Sequence, residues 1–286
     1  MRQWVKYTLS SLLVLAGWAS VALAQDEEEK KLGWADKAEL AFVLASGNSE
    51  TSTLGFRNLL SHIWPEAELN FEVAGLRTET STITRTPVGF TGEDFVVEKS
   101  SESAVTAENY QARGKYDRNL SDRLYAFGSG GWDRDEFAGV RNRTYGAGGI
   151  GTIWYEQEGL RWRTDYGISV TNEEPTVGSS DTYAGLRLSS DFMRQLSTST
   201  SVENLTIANE NLNETDDLRI DCLTGLSVNM VEHLAIKLSL RFLFDNVPSF
   251  TEVPLQRPDR VLTGILVPVQ TDKLDTLLSL AVVLDF

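Results

Sequence analysis

The sequence predicts an all-β chain, folded as a transmembrane antiparallel up-and-down β-barrel of about twelve strands. Three observations predict it. A short export segment opens the chain, a period of two runs through stretches about a dozen residues long, and the connections alternate between tight and long.

The export segment comes first. Arg2 and Lys6 precede an apolar run from Tyr7 to Ala19, and Ala22-Leu23-Ala24 supplies small residues for cleavage before Gln25. The run is shorter than the roughly 20 residues of a spanning helix, so residues 1–24 read as a signal peptide. No cysteine lies near the cleavage point to carry a lipid. Residues 25–33 form an acidic periplasmic segment, Asp26 to Glu29 answered by Lys30 and Lys31, and residues 34–286 form the barrel. The expected location is the bacterial outer membrane.

Composition narrows the function classes. The formal charge is −15, and losing Arg2 and Lys6 with a segment that holds no carboxylate takes it to −17, which excludes nucleic acid as a partner. Cys222 is the single cysteine, so neither an intrachain disulfide nor a cysteine metal cluster forms. A hydrophobic content of 41% fits a soluble protein, and equally a barrel whose polar lumen offsets its greasy wall.

The alternation is clearest at the carboxyl end. Leu274, Thr276, Leu278, Leu280, Val282, Leu284 and Phe286 share one face, and Lys273, Asp275, Ser279 and Asp285 the other. Leu280, Val282, Leu284 and Phe286 are the expected assembly signal, read by the barrel assembly machinery as in other outer-membrane barrels. This strand is expected to pair with the first, near Ala38 to Ala45, because open edges leave backbone groups unsatisfied in hydrocarbon. Similar alternation runs through 234–245, 160–170, 218–229 and 186–192. Weaker candidates lie near 34–45, 51–62, 67–80, 104–117, 122–133, 140–156 and 198–210. The 104–117 and 198–210 stretches alternate poorly, and a bulge in either would switch faces midway.

Tight turns fall at 64–66, 119–121, 157–159, 196–198 and 231–233. Longer connections fall near 81–103, 134–140, 173–180, 210–217 and 246–272. Short periplasmic turns and long outer loops are the asymmetry of an outer-membrane barrel. Trp34, Trp64, Tyr116, Tyr125, Trp154, Tyr155, Trp162 and Phe192 cluster beside the tight turns, where an interfacial girdle belongs.

The period places charges inside. Lumen-lining candidates are Arg161, Arg163, Asp165, Arg187, Asp191, Arg219, Asp221, Lys237 and Arg241. Lys37, Arg57 and Lys273 join them, with Glu39, Glu68, Glu72, Asp181, Asp245 and Asp275. The two signs balance, which favours paired charges filling the interior over a wide channel. The acidic excess then belongs to the loops: Glu93, Asp94, Glu98, Glu102, Glu173, Glu174, Glu210, Glu214, Asp216 and Asp217. Such carboxylates would face lipopolysaccharide and could share divalent cations with its phosphates.

Motifs for chemistry are sparse. Gly146-Ala147-Gly148-Gly149-Ile150-Gly151 has dinucleotide-fingerprint spacing but runs into a strand, so no helix start meets a pyrophosphate and no cofactor is expected. Its glycines, with Gly128, Gly130 and Gly131, suit a sharply bent small barrel. A hydrolase would need a histidine base, and only His62 and His233 exist, both beside tight turns. The expectation is a non-enzymatic barrel without catalytic or metal-binding residues. An outer-membrane hydrolase and a soluble periplasmic β-protein are the alternatives.

Trp34 to Thr51, with Leu40, Phe42 and Leu44 alternating into Ser46-Gly47-Asn48-Ser49, resembles the opening of the salt-induced outer-membrane protein family, a domain of unknown function (DUF481-like). The glycine-rich strand Tyr145 to Gly151 and the last strand extend the likeness. The resemblance implies an outer-membrane barrel linked to salt or osmotic stress; the role expected of such a barrel with a balanced lumen is structural or the passage of small solutes and ions. The resemblance implies no established enzymatic activity.

Overall fold

The computed structural model describes residues 32–45, 49–89, 95–258 and 262–285. The expected signal peptide, the acidic segment before Leu32 and Phe286 lie outside the described residues.

Fourteen strands form among the described residues. They are β1 (Gly33–Ala45), β2 (Ser49–Ile63), β3 (Ala67–Gly89), β4 (Phe95–Asn119), β5 (Leu124–Asp135), β6 (Val140–Gln157) and β7 (Leu160–Pro175), followed by β8 (Asp181–Gln195), β9 (Thr200–Asn211), β10 (Leu218–Val231), β11 (Leu234–Asp245), β12 (Phe250–Gln256), β13 (Leu262–Gln270) and β14 (Leu274–Asp285). Twelve of them close into one antiparallel barrel, each neighbour in sequence being its neighbour in space, and β14 returns to β1. β12 and β13 form a separate two-stranded hairpin. The 246–272 connection therefore carries a hairpin where the sequence suggested a loop. The 81–103 connection is likewise mostly strand, because β3 and β4 stay paired as far as Gly89 and Phe95.

Why these residues close a barrel follows from which way they face. Ile168 is 69% exposed and Leu278 67% on the outer wall, whereas Lys237 is 2% and Arg163 6% exposed inside. An inside-out distribution of this kind is stable only where the outer wall meets hydrocarbon. Hydrocarbon in turn demands a closed ladder, since each unpaired backbone group there costs several kcal/mol.

The two poorly alternating strands have different explanations. In β3–β4 the register shifts between Thr78 and Glu79, whose partners are Ala107 and Val105, so Thr106 is the extra residue of a bulge. On the turn side of that bulge Gln111, Arg113, Lys115 and Asp117 form the inner face of β4. The register of β9 has no shift against β8 or β10. Its faces are mixed instead: Leu205 and Ile207 share the inner face with Glu203 and Asn209, while Asn204 and Thr206 bond on the outer side to each other and to Cys222 and Thr224.

At the end where the tight turns gather, Trp34, His62, Trp64 and Tyr116 form a chain of ring contacts with centroids 4.5, 4.1 and 6.4 Å apart. Trp154 and Tyr155 meet Trp162 at 5.7 and 6.3 Å. Tyr125 is not part of this girdle. It is 1% exposed and sits in the lumen, because it pairs with Gly151 on the inner face of the next strand.

Placing a charge on the outer wall near mid-strand separates a lipid-facing surface from a solvated one. Ile168→Arg should destabilise the protein folded in lipid vesicles by about 2–4 kcal/mol, read from urea unfolding. A neutral result would mean that this wall does not face hydrocarbon.

Candidate functional site

The lumen is the candidate site, and its charges fall into three tiers. At the turn end, Arg163 bonds Glu68 at 3.1 Å and Glu156 at 2.6 Å, and Lys115 bridges Asp117 and Asp165 at 3.1 and 2.9 Å. The Tyr125 hydroxyl and Ser189 also donate to Asp165. Arg161 pairs with Asp191 at 2.9 Å. These groups surround a cavity of about 450 Å³.

Gly151 makes this tier possible. It lies between Tyr125 and Asp165 on the ladder, and a Cβ there would come within 2.1 Å of the tyrosine ring. Only a residue without a side chain lets the ring cross β6 to reach the carboxylate. The glycine-rich stretch thus serves lumenal packing at this position, beyond the barrel curvature expected of it.

The middle tier spans the lumen. Arg113 on β4 meets Asp221 on β10 at 3.3 Å, and these two strands stand on opposite sides of the ring. Arg241 bonds the same Asp221 at 2.7 Å and donates to Gln111 Oε1 at 3.2 Å. Gln111 passes the chain to Glu72 at 2.8 Å, Arg57 holds Glu72 at 2.6 Å and Glu39 at 2.9 Å, and Lys237 reaches Glu39 at 2.7 Å and also pairs with Glu203. Lys237 passes over Gly225 to do so, where a Cβ would press on its own Cε at 2.7 Å. Arg187 stacks on the Tyr145 ring at 4.7 Å and donates to Asn209 at 2.9 Å.

The third tier lies toward the loops. Arg219 gathers Glu173, Asp217 and Asp245 at 2.6, 3.1 and 3.0 Å, and Arg143 shares Glu173 at 2.9 Å. Glu173 and Asp217 are therefore buried lumenal groups, 7% and 5% exposed, and not the loop-surface carboxylates expected from the sequence. Each is drawn inward by the Arg219 guanidinium. A second cavity of about 190 Å³ occupies this end. Pro248 and Thr271, at the base of the β12–β13 hairpin, line it, and Phe250 O accepts from Thr176 Oγ1 at 2.9 Å on the far side of the mouth. Both cavities share Arg113, Tyr145 and Arg187, so the middle tier is the partition between them.

Of the lining residues named from the sequence, Arg161, Arg163, Asp165, Arg187 and Asp191 border the larger cavity. Arg187, Arg219, Asp221 and Arg241 border the smaller, and Lys237 is pinned between its two glutamates. The sequence reading assigned no face to Gln111, Arg113, Lys115 and Asp117, whose spacing of two is legible only once the Thr106 bulge is located. His62 lies among outer aromatics. His233, at φ 66° in the β10–β11 turn, meets Asp285 O at 2.7 Å through Nδ1 and so fastens the end of β14. No group of three or more metal-ligating side chains occurs among the described residues.

A closed twelve-stranded ring with an apolar outer wall and an ion-paired lumen defines an outer-membrane-type β-barrel. The chain belongs to the family described as "Protein of unknown function, DUF481", whose family model matches residues 38–255. No curated protein matches it in sequence. Solved structures of similar shape include the NanC porin, at 9% identity and TM-score 0.41 over 88% of this chain and 98% of that one. The translocator domain of the autotransporter NalP from Neisseria meningitidis is similar at 10% identity and TM-score 0.40, over 91% and 90%. An anion-selective porin from Comamonas acidovorans is similar at 10% identity and TM-score 0.38, over 89% and 99%.

Removing one partner from the buried Lys237 pair strands charge in the wall. Lys237→Met should cost about 3–5 kcal/mol, with part of the loss recovered in Lys237→Met/Glu39→Gln. Chemical unfolding in lipid measures both, and a silent single variant would show that the pair does not support the fold.

Proposed function

We propose that the protein is a non-enzymatic barrel of the bacterial outer membrane, passing ions and small solutes sparingly along its axis. The Arg113–Asp221 pair carries this reading, because it joins opposite strands at mid-lumen and, with Arg241 and Gln111, divides the interior into two cavities. A wide pore would keep such groups apart on its wall. On this reading Leu280, Val282 and Leu284 belong to the assembly signal, and the loops face lipopolysaccharide, with divalent cations as candidate bridges.

The link to salt or osmotic stress has a physical counterpart in where the charges lie. The Debye length shrinks from about 10 Å at 0.1 M to about 3 Å at 1 M, which screens exposed charges from one another but acts much less on partly buried pairs in contact. On this reading the lumenal partition holds as salt rises, while the acidic loops outside lose their mutual repulsion.

Planar-bilayer recording tests this directly. Wild-type protein should give small steps, and they should stay small relative to the bulk solution as potassium chloride is raised. Asp221→Asn, which frees two guanidinium groups, should move the reversal potential toward anions, and Arg241→Gln should move it toward cations. Large, stable, porin-type steps from the wild-type barrel, or variants without effect on selectivity, would overturn the proposal.

A further inference from the structure

The barrel closes over an unusually short seam. β1 and β14 pair through five positions, Lys37–Ala41 with Ala281–Asp285, whereas β14 pairs with β11 through eleven. Pairing stops at Ala41 and Ala281 although both strands go on: β1 stays paired with β2 to Ala45, and β14 stays paired with β11 back to Leu274. Phe42 and Leu280, next in register, are unpaired with each other. The parted edges run for four residues of β1, about 13 Å at ~3.3 Å per residue.

Behind the parted edges lies a cavity of about 110 Å³. Ala41 lines it from one edge and Leu277 and Ser279 from the other, Leu223 and Leu205 continue the row of Leu277 along β10 and β9, and the Arg57–Glu72 and Arg113–Asp221–Arg241 groups supply its charged lining. Outside the slot, Phe42, Leu278 and Leu280 are 62%, 67% and 56% exposed. Leu205, on the inner face of β9, gains a use here, since with Leu223 it extends the apolar row that starts at Leu277 on the open edge.

We propose that this seam is a lateral port, taking a single-chain amphiphile from the apolar surroundings of the wall into the lumen. The hydrocarbon tail lies through the slot against Leu277, Leu223 and Leu205, and the polar head meets the Gln111–Arg241–Asp221 tier. An inorganic ion gains nothing from the leucines, and a cavity of this size admits part of one acyl chain but not a two-tailed lipid. Open backbone edges are tolerated because they border a polar lumen and not hydrocarbon alone. The port is independent of axial passage, so either can fail without the other.

The test is to zip the seam. In a Cys222→Ser background, Phe42→Cys/Leu280→Cys places a cysteine at each next register position. Binding of dansyl-undecanoic acid to the amphipol-held barrel is followed by fluorescence, and axial conductance is measured on the same preparations. Saturable binding to the wild-type and reduced proteins should fall by about tenfold or more on oxidation and return with dithiothreitol. Leu223→Asn, which leaves the seam open, should also weaken binding, and conductance of the oxidised barrel should be unchanged. No saturable binding to wild type, unchanged affinity after crosslinking, or loss of conductance together with binding would overturn the lateral port.

Discussion

Every backbone N–H and C=O inside an apolar belt must find a partner within the protein, and the rest of this structure follows from that constraint. A sheet meets it only by closing on itself, which sets the order of the twelve strands and brings β14 back to β1. Closure then decides the side chains. Residues alternate across each strand, so an outer wall of leucine, isoleucine and phenylalanine forces its opposite number into a narrow interior, where charge is costly unless matched.

The lumen is therefore organised as a core of ion pairs where a soluble protein has a core of hydrocarbon. Carboxylates are shared: Asp221 between two arginines, Glu173 between two arginines, and Glu39 between an arginine and a lysine. Sharing allows few groups to satisfy many donors, and it couples strands distant in sequence, as when Lys237 reaches Glu39 across β14. Glycine is part of the same device. At Gly151 and Gly225 the wall gives up a side chain so that a neighbour can lie along the inner surface to its partner.

Much of this was legible in the sequence, because a period of two is a local property. The long clean strands, the tight turns and most inward charges could be read directly, down to Lys237 and Arg241. What escaped reading depends on events the period does not encode. The Thr106 bulge reverses the faces of β4 partway, which hid Arg113 and Lys115. β9 keeps its register but mixes polar and apolar residues on its inner face, Glu203 and Asn209 beside Leu205 and Ile207, which only its neighbours reveal. Tyr125 looked like a girdle aromatic by position, yet the glycine opposite draws it inward. Glu173 and Asp217 looked like loop carboxylates until Arg219 was seen to collect them. A charge-rich connection and a charge-rich strand end have the same composition, and only the partner distinguishes them.

The seam shows the closure constraint at its limit. Pairing between β1 and β14 holds on the side of the girdle, where His233 fastens the end of β14 and Lys237 bridges over it to Glu39. It ends at Ala41 and Ala281, level with that bridge, since Ala281 is the register partner of Lys237. The staple thus marks the boundary between a locked half of the seam and a parted half. Beyond it Ser239, Leu277, Leu205 and Leu223 join the inward residues, beside the paired charges of Arg241, Asp221 and Arg113. Leu277, Leu223 and Leu205 stand in one register row on β14, β10 and β9, with Arg241 of β11 between the first two, so the apolar side chains begin at the open edge itself. A tail entering at the open edge meets those leucines along the inner wall, and a polar head finds the Arg241 guanidinium in the same row, which is what an amphiphile needs of a port.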